Sequence, residues 1–103
     1  MQTQINFGDV DSSDALSQRV HEQVDKALAH VHRSVTRVEV HLRDDNAGKH
    51  GNQDKRVVME ARPEGHQPIT VDAKGEDMYK VIDDAAAKLG RALKSHLERI
   101  AER

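Results

Sequence analysis

A chain of 103 residues is one domain by length, and it can bury about two-thirds of its unfolded surface, enough for a single two-layer core. A third of the residues are charged (33%), yet the formal net charge is only -2, which argues against nucleic-acid binding by the whole-chain average and leaves the local pattern to decide. The absence of cysteine excludes disulfides, thiolate metal sites and thiol nucleophiles.

In chain order, residues 2–7 alternate, with Thr3, Ile5 and Phe7 on one side and Gln2, Gln4 and Asn6 on the other, which predicts a half-buried strand. GDVDSSD follows as a turn in which Ser12 or Ser13 can cap a helix with Asp14 in its first turn. Leu16, Val20, Val24, Ala27, Leu28 and Val31 then mark a helical stripe that ends near His32. Residues 35–43 alternate again, with Val38, Val40 and Leu42 inward and Arg37, Glu39, His41 and Arg43 outward. The polar segment 44–54, DDNAGKHGNQD, reads as a long hairpin loop. A third strand over 55–62 turns Val57, Met59 and Ala61 inward. RPEGHQP predicts a type I turn with Pro63 at its second position and Gly65 at its fourth. A fourth strand over 69–74 turns Ile69, Val71 and Ala73 inward. The last element is a long helix starting near Asp77, with apolar residues at 78, 82, 85, 86, 89, 93, 97 and 100, and with Gly90 as an interruption that would let it pack closely on the sheet.

The order is β-α-β-β-β-α. Each strand has one apolar face and each helix one apolar stripe, so the expected class is α+β, a four-stranded sheet with two helices packed on one face and a polar face left open. The opening MQTQINFGDV has neither a basic leader nor an apolar stretch of signal-peptide length, and no apolar run approaches a membrane span. The expectation is one cytoplasmic domain over 1–103, with no membrane partner.

Catalytic readings fare poorly. The pairs Asp44–Asp45 and Asp83–Asp84 are adjacent in sequence, which does not aim two carboxylates at one point, and Asp83 and Asp84 fall outside the apolar stripe, facing solvent. His30-Val31-His32 is the densest histidine cluster, but i and i+2 on a helix point apart, so no metal site is expected there. Asp44 to Gly48 hints at a calcium loop, but its twelfth position is Lys55 where a glutamate is required. No enzyme activity and no cofactor are expected.

Nucleic acid is the better candidate. The open sheet face would carry Arg37, Arg43, Arg56, Arg62 and Lys74 among Glu39, Glu60 and Asp72, with no aromatic for base stacking. On the last helix the acids come first and the bases last: residues 76–84 carry a net of -3 and residues 85–103 a net of +3. Macrodipole complementarity accounts for that order, and the basic end remains available to a polyanion. At 100° per residue, Lys80 and Arg91 lie almost opposite the stripe, with Lys88 and Lys94 beside them, a line of bases suited to the phosphates of structured RNA. The competing reading is a solvated charged face. Asp77 reads as the cap of this helix, and Tyr79, the only tyrosine, sits at the stripe's edge where its ring can pack and its hydroxyl reach a polar partner.

Glu76-Asp77-Met78-Tyr79, then Ile82-Asp83, then Lys88-Leu89, Arg91, Leu93 and His96 resemble the final helix of the hibernation-promoting factor / ribosome-associated inhibitor family, also called sigma-54 modulation proteins. The opening, with Ile5, Val10 and Ser13-Asp14-Ala15-Leu16 ahead of Val20 and Lys26, is similar to that family's first strand and helix. The chain resembles the short form without a C-terminal dimerisation domain. The resemblance implies binding to the small ribosomal subunit, on rRNA near the decoding centre, and the silencing of idle ribosomes under stress or in stationary phase. It implies rRNA-contacting roles for Lys88 and Arg91 on the last helix and Lys26 on the first, to which Lys94, Lys80 and Arg99 are added as neighbouring bases; DNA is not an expected partner. The chain departs from the family pattern at Ser17, Gln23, Ala29 and Ser95, where basic residues are common, and in a longer 45–54 loop. The alternative function is a protein–protein modulator that binds a cytosolic partner through the charged sheet face.

Overall fold

Alternation of apolar and polar residues produces the strands, and a stripe at helical spacing produces each helix. In the computed structural model, which describes residues 1–44 and 54–101, these are β1 (Gln2–Asn6), α1 (Asp14–Ala27), β2 (Val35–Asp44), β3 (Lys55–Pro63), β4 (Ile69–Gly75) and α2 (Met78–Ala101). Residues 45–53, nearly all of the expected hairpin loop, lie outside the described residues, as do the last two residues. The class is the expected one, α+β in the order β-α-β-β-β-α.

The sheet runs β1-β2-β3-β4, with β1 parallel to β2 and the other pairs antiparallel. The parallel pair needs a crossover, and α1 supplies it. The register lines the inward side chains into rows: Ile5, Val40, Met59 and Val71 in one, Thr3, Val38, Ala61 and Ile69 in a second, Leu42, Val57 and Ala73 in a third. The helices cover these rows with Val20 and Val24 from α1, Leu28 at its C-cap, and Met78, Val81, Ile82, Ala85, Ala86, Leu89 and Leu93 from α2, all in one buried cluster. Burying each such Val, Leu, Ile or Met fully is worth about 1.5–3 kcal/mol. Val81, outside the predicted stripe, belongs to it with 1% of its surface exposed.

Several local expectations change. The first helix is capped by Ser13, whose side chain accepts from the Leu16 amide. It ends at Ala27, not near His32. The chain then tightens into i→i+3 bonds, Val31 N–H to Leu28 O and Ser34 N–H to Val31 O, the second within a 3-10 turn over His32–Ser34. Leu28 and Val31 are both buried, and a spacing of three satisfies either helix type, so periodicity could not separate them. In β2 a register shift between Val35 and Arg37 lets Val35 bury on the same side as Val38. The turn after β3 has Pro63 at its first position, with its carbonyl accepting from the His66 amide, and Gly65 at its third position with φ +75. That is the positive φ a type II turn requires, so glycine serves the turn by its φ and the predicted type I placement was one residue out.

Gly90 packs on the other helix and not on the sheet: a Cβ there would lie 2.9 Å from the Ala27 carbonyl oxygen. In an open helix Gly→Ala gains about 1 kcal/mol. Here the new methyl group meets a backbone oxygen that cannot rotate away, an overpacking cost of about 1–3 kcal/mol. Gly90→Ala is therefore expected to lower the thermal midpoint, by about 4–8 °C for each kcal/mol of net loss in a domain of this size. A midpoint above that of the parent chain in a thermal melt would contradict the close approach.

Candidate nucleic-acid interface

Helix α2 starts where Asp77 accepts a 2.9 Å hydrogen bond from the Tyr79 amide, and acids near this end also suit its positive dipole. One side of the helix faces the sheet. The adjoining side faces α1, and the two helices enclose an open groove of about 410 Å³ lined by Gln23, Lys26, Ala27 and His30 of α1 and its C-terminal turn and by Asp83, Ala86, Ala87, Gly90, Arg91 and Lys94 of α2. The floor is made of small residues because the helices approach at Ala27 and Gly90. The rim is polar, and three of its members are cations.

Asp83 is not turned to solvent. Arg19 of α1 grips it with two bonds, Nε to Oδ1 at 2.8 Å and Nη2 to Oδ2 at 2.6 Å, the fork geometry that favours arginine on carboxylates. The Arg19 bonds hold the Asp83 carboxyl below the ordinary value of 3.8, with a smaller contribution from the Lys26 charge, while partial burial opposes them. The same guanidinium lies 5.7 Å from the centre of the Tyr79 ring. Tyr79 is thus a shelf for Arg19, with 38% of its surface exposed, and not a ring tucked into the core's edge. Asp84 is exposed, as expected.

The six predicted bases divide into three groups. Lys26, Arg91 and Lys94 meet at the groove, all exposed, and none forms an ion pair among the described residues, the Lys26 charge acting on Asp83 only from a distance. Lys88 turns to the opposite flank, where its Nζ donates to the Asp72 carbonyl of β4 at 2.9 Å, so it does not join Arg91. Arg99, eleven residues further and about 20° from Lys88 around the axis, follows that flank. Lys80 is exposed one turn into the helix, in line with Arg91 but about 16 Å away along the axis. Gln23 enters the sequence reading only as a departure from the family's basic pattern and His30 only as part of a histidine cluster, yet both line the groove. Gln23 lies one turn before Lys26 on α1 and His30 just past the helix end, so the groove is findable by asking which residues neighbour Lys26.

With Asp83 neutralised by Arg19, the groove presents an apolar floor and an uncompensated basic rim. Such a site suits a sugar–phosphate strand, whose sugars tolerate a small-residue floor and whose phosphates take charge-assisted bonds from Lys and Arg. Among the described residues no three His, Cys, Asp or Glu side chains converge as metal ligands, and no helix is long and apolar enough to cross a membrane. The segment read as a defective calcium loop lies almost wholly outside the described residues.

The family model described as Sigma 54 modulation protein / S30EA ribosomal protein matches residues 3–101. No curated protein sequence matches the chain. Among solved structures, a ribosomal subunit interface protein from Coxiella burnetii is similar with a TM-score of 0.79 at 20% identity, covering 95% of this chain and 99% of that chain. The Protein Y N-terminal domain of Thermus thermophilus is similar with a TM-score of 0.70 at 18% identity, covering 92% of this chain and 94% of that chain. At these identities the likeness is one of fold.

The Arg19–Asp83 link has a pH signature. Because the folded-state pKa of Asp83 is depressed, its stabilisation is present above the unfolded value of 3.8 and is lost as pH falls through the folded value. Asp83→Asn is therefore expected to be less stable than the parent chain by a constant margin from pH 5 to pH 7, as measured by urea unfolding, with the margin closing below about pH 4. A margin that stays open at low pH would show that the link contributes through packing and not through charge.

Proposed function

This chain belongs to the Sigma 54 modulation protein / S30EA ribosomal protein family, and on that premise we propose that it binds the small ribosomal subunit and silences idle ribosomes under stress or in stationary phase. The family is one of ribosome-associated modulators and not of enzymes. The observation that carries the reading is the groove between α1 and α2, where Lys26, Arg91 and Lys94 surround an apolar floor and form no ion pair among the described residues. Its ligand is the backbone of rRNA near the decoding centre, over sites otherwise used by mRNA and tRNA. The subunit-interface description of the Coxiella burnetii structure fits that location. The whole of 1–103 then acts as one ribosome-binding domain in the cytoplasm. Lys80, Lys88 and Arg99 are outlying contacts at most, since they diverge from the groove. A protein partner on the charged sheet face has no comparable support: that face lacks the apolar centre on which such interfaces depend.

Phosphate contacts release counterions, so co-sedimentation with purified small subunits is expected at about 50 mM salt and to be largely lost by about 200 mM. Lys26→Glu with Arg91→Glu is expected to abolish co-sedimentation at the lower salt and to leave the thermal midpoint within a few degrees. Lys88→Glu alone should weaken it far less. Absence of the parent chain from the subunit pellet at low salt would overturn the reading, and wild-type binding by the double variant would move the site away from the groove.

A further inference from the structure

The open face of the sheet is not uniformly mixed in charge. At one end Arg37 meets Glu39 at 3.0 Å, and Arg62 meets Glu60 at 3.1 Å and Glu39 at 3.7 Å, so acids and bases compensate there. At the other end the register sets Arg43 of β2 opposite Arg56 of β3, and Arg56 opposite Lys74 of β4. Three cations stand side by side at the strand spacing of about 4.8 Å. Among the described residues one carboxylate reaches them, Asp72, at 3.4 Å from Arg56. Arg43 and Lys74 are exposed with no ion pair among the described residues, and the buried Arg56 Nε makes no hydrogen bond. Like charges directly opposite one another destabilise a sheet, so the row costs the isolated domain stability that an anion would restore.

We propose that Arg43, Arg56 and Lys74 form a second phosphate-binding face for structured RNA, on the side of the domain opposite the helical groove. RNA is favoured over an acidic protein on two grounds. Two of the three bases are arginines, whose fork matches phosphate. The only apolar residue among the outward positions of β2, β3 and β4 is the half-buried Val58, too little for the desolvated centre of a protein interface, whereas RNA interfaces are polar throughout. Engaged on both sides, the domain bridges two RNA segments. The inference rests on the ribosomal reading above for the identity of that RNA.

The test uses the isotopically labelled full chain, with a short generic RNA duplex and polyglutamate as probes, followed by small-subunit binding. The duplex is expected to shift the backbone amide resonances of Arg43, Arg56 and Lys74. Arg43→Glu with Lys74→Glu should remove those shifts, keep those at Lys26 and Arg91, leave the melting temperature unchanged or higher, and weaken subunit binding about tenfold with a salt slope shallower by about two. Shifts confined to the groove, with parent-like subunit binding by that variant, would overturn the proposal and leave the groove standing. Shifts confined to the sheet would do the reverse. Displacement of the duplex from the sheet by polyglutamate at equal charge would overturn it in favour of an acidic protein.

Discussion

The close approach of the two helices at Ala27 and Gly90 is the constraint on which the rest depends. A sheet with one apolar face must be covered by two helices lying side by side, and the distance between them sets what lies outside. With 2.9 Å between a would-be Cβ of Gly90 and the Ala27 carbonyl oxygen, only hydrogen fits at the contact. Alanines at 27, 86 and 87 continue the small floor, and the long side chains of Lys26, Arg91 and Lys94 are left to form its walls. Packing and binding surface thus have one cause.

Electrostatics then decides what the groove attracts. Asp83 lies within it and would offset a cation, but Arg19 takes both of its oxygens and rests on Tyr79. Asp77, just ahead of α2, caps its first turn, and with Glu76 it suits the positive end of the dipole, far from the basic residues. A domain with a net charge of -2 therefore carries a locally cationic cleft, because Asp83, the acid that lines it, is held by Arg19. The open sheet face follows the same logic, compensated at the Glu39 end and uncompensated at the Arg43 end.

Much of this architecture was legible from period alone. Alternation gave all four strands and their inward residues, because the sheet has one wet face, and the stripe gave α2. Periodicity reports which side of an element is buried but not against what, and that is where the reading fell short. Period matches Gly90 to the sheet though it packs on α1, sends Asp83 to solvent though Arg19, 64 residues away in sequence, holds it, and overruns the end of α1 because Leu28 and Val31 fit two helix types. For the binding residues, a helical wheel placed Lys88, Arg91 and Lys94 together on one exposed side. The wheel omits the neighbours: β4 claims Lys88 on one flank, and α1 turns Arg91 and Lys94 into a groove on the other.

On the proposed function, this groove and not the far flank of α2 meets ribosomal RNA. The most direct measurement is a cryo-electron microscopy reconstruction of the protein bound to the small subunit, resolved well enough to see side chains. Phosphate oxygens are expected within hydrogen-bond distance of Lys26, Arg91 and Lys94, with the floor at Gly90 covered by the RNA backbone. A complex in which the groove faces solvent while the Lys88 and Arg99 flank touches RNA would contradict it.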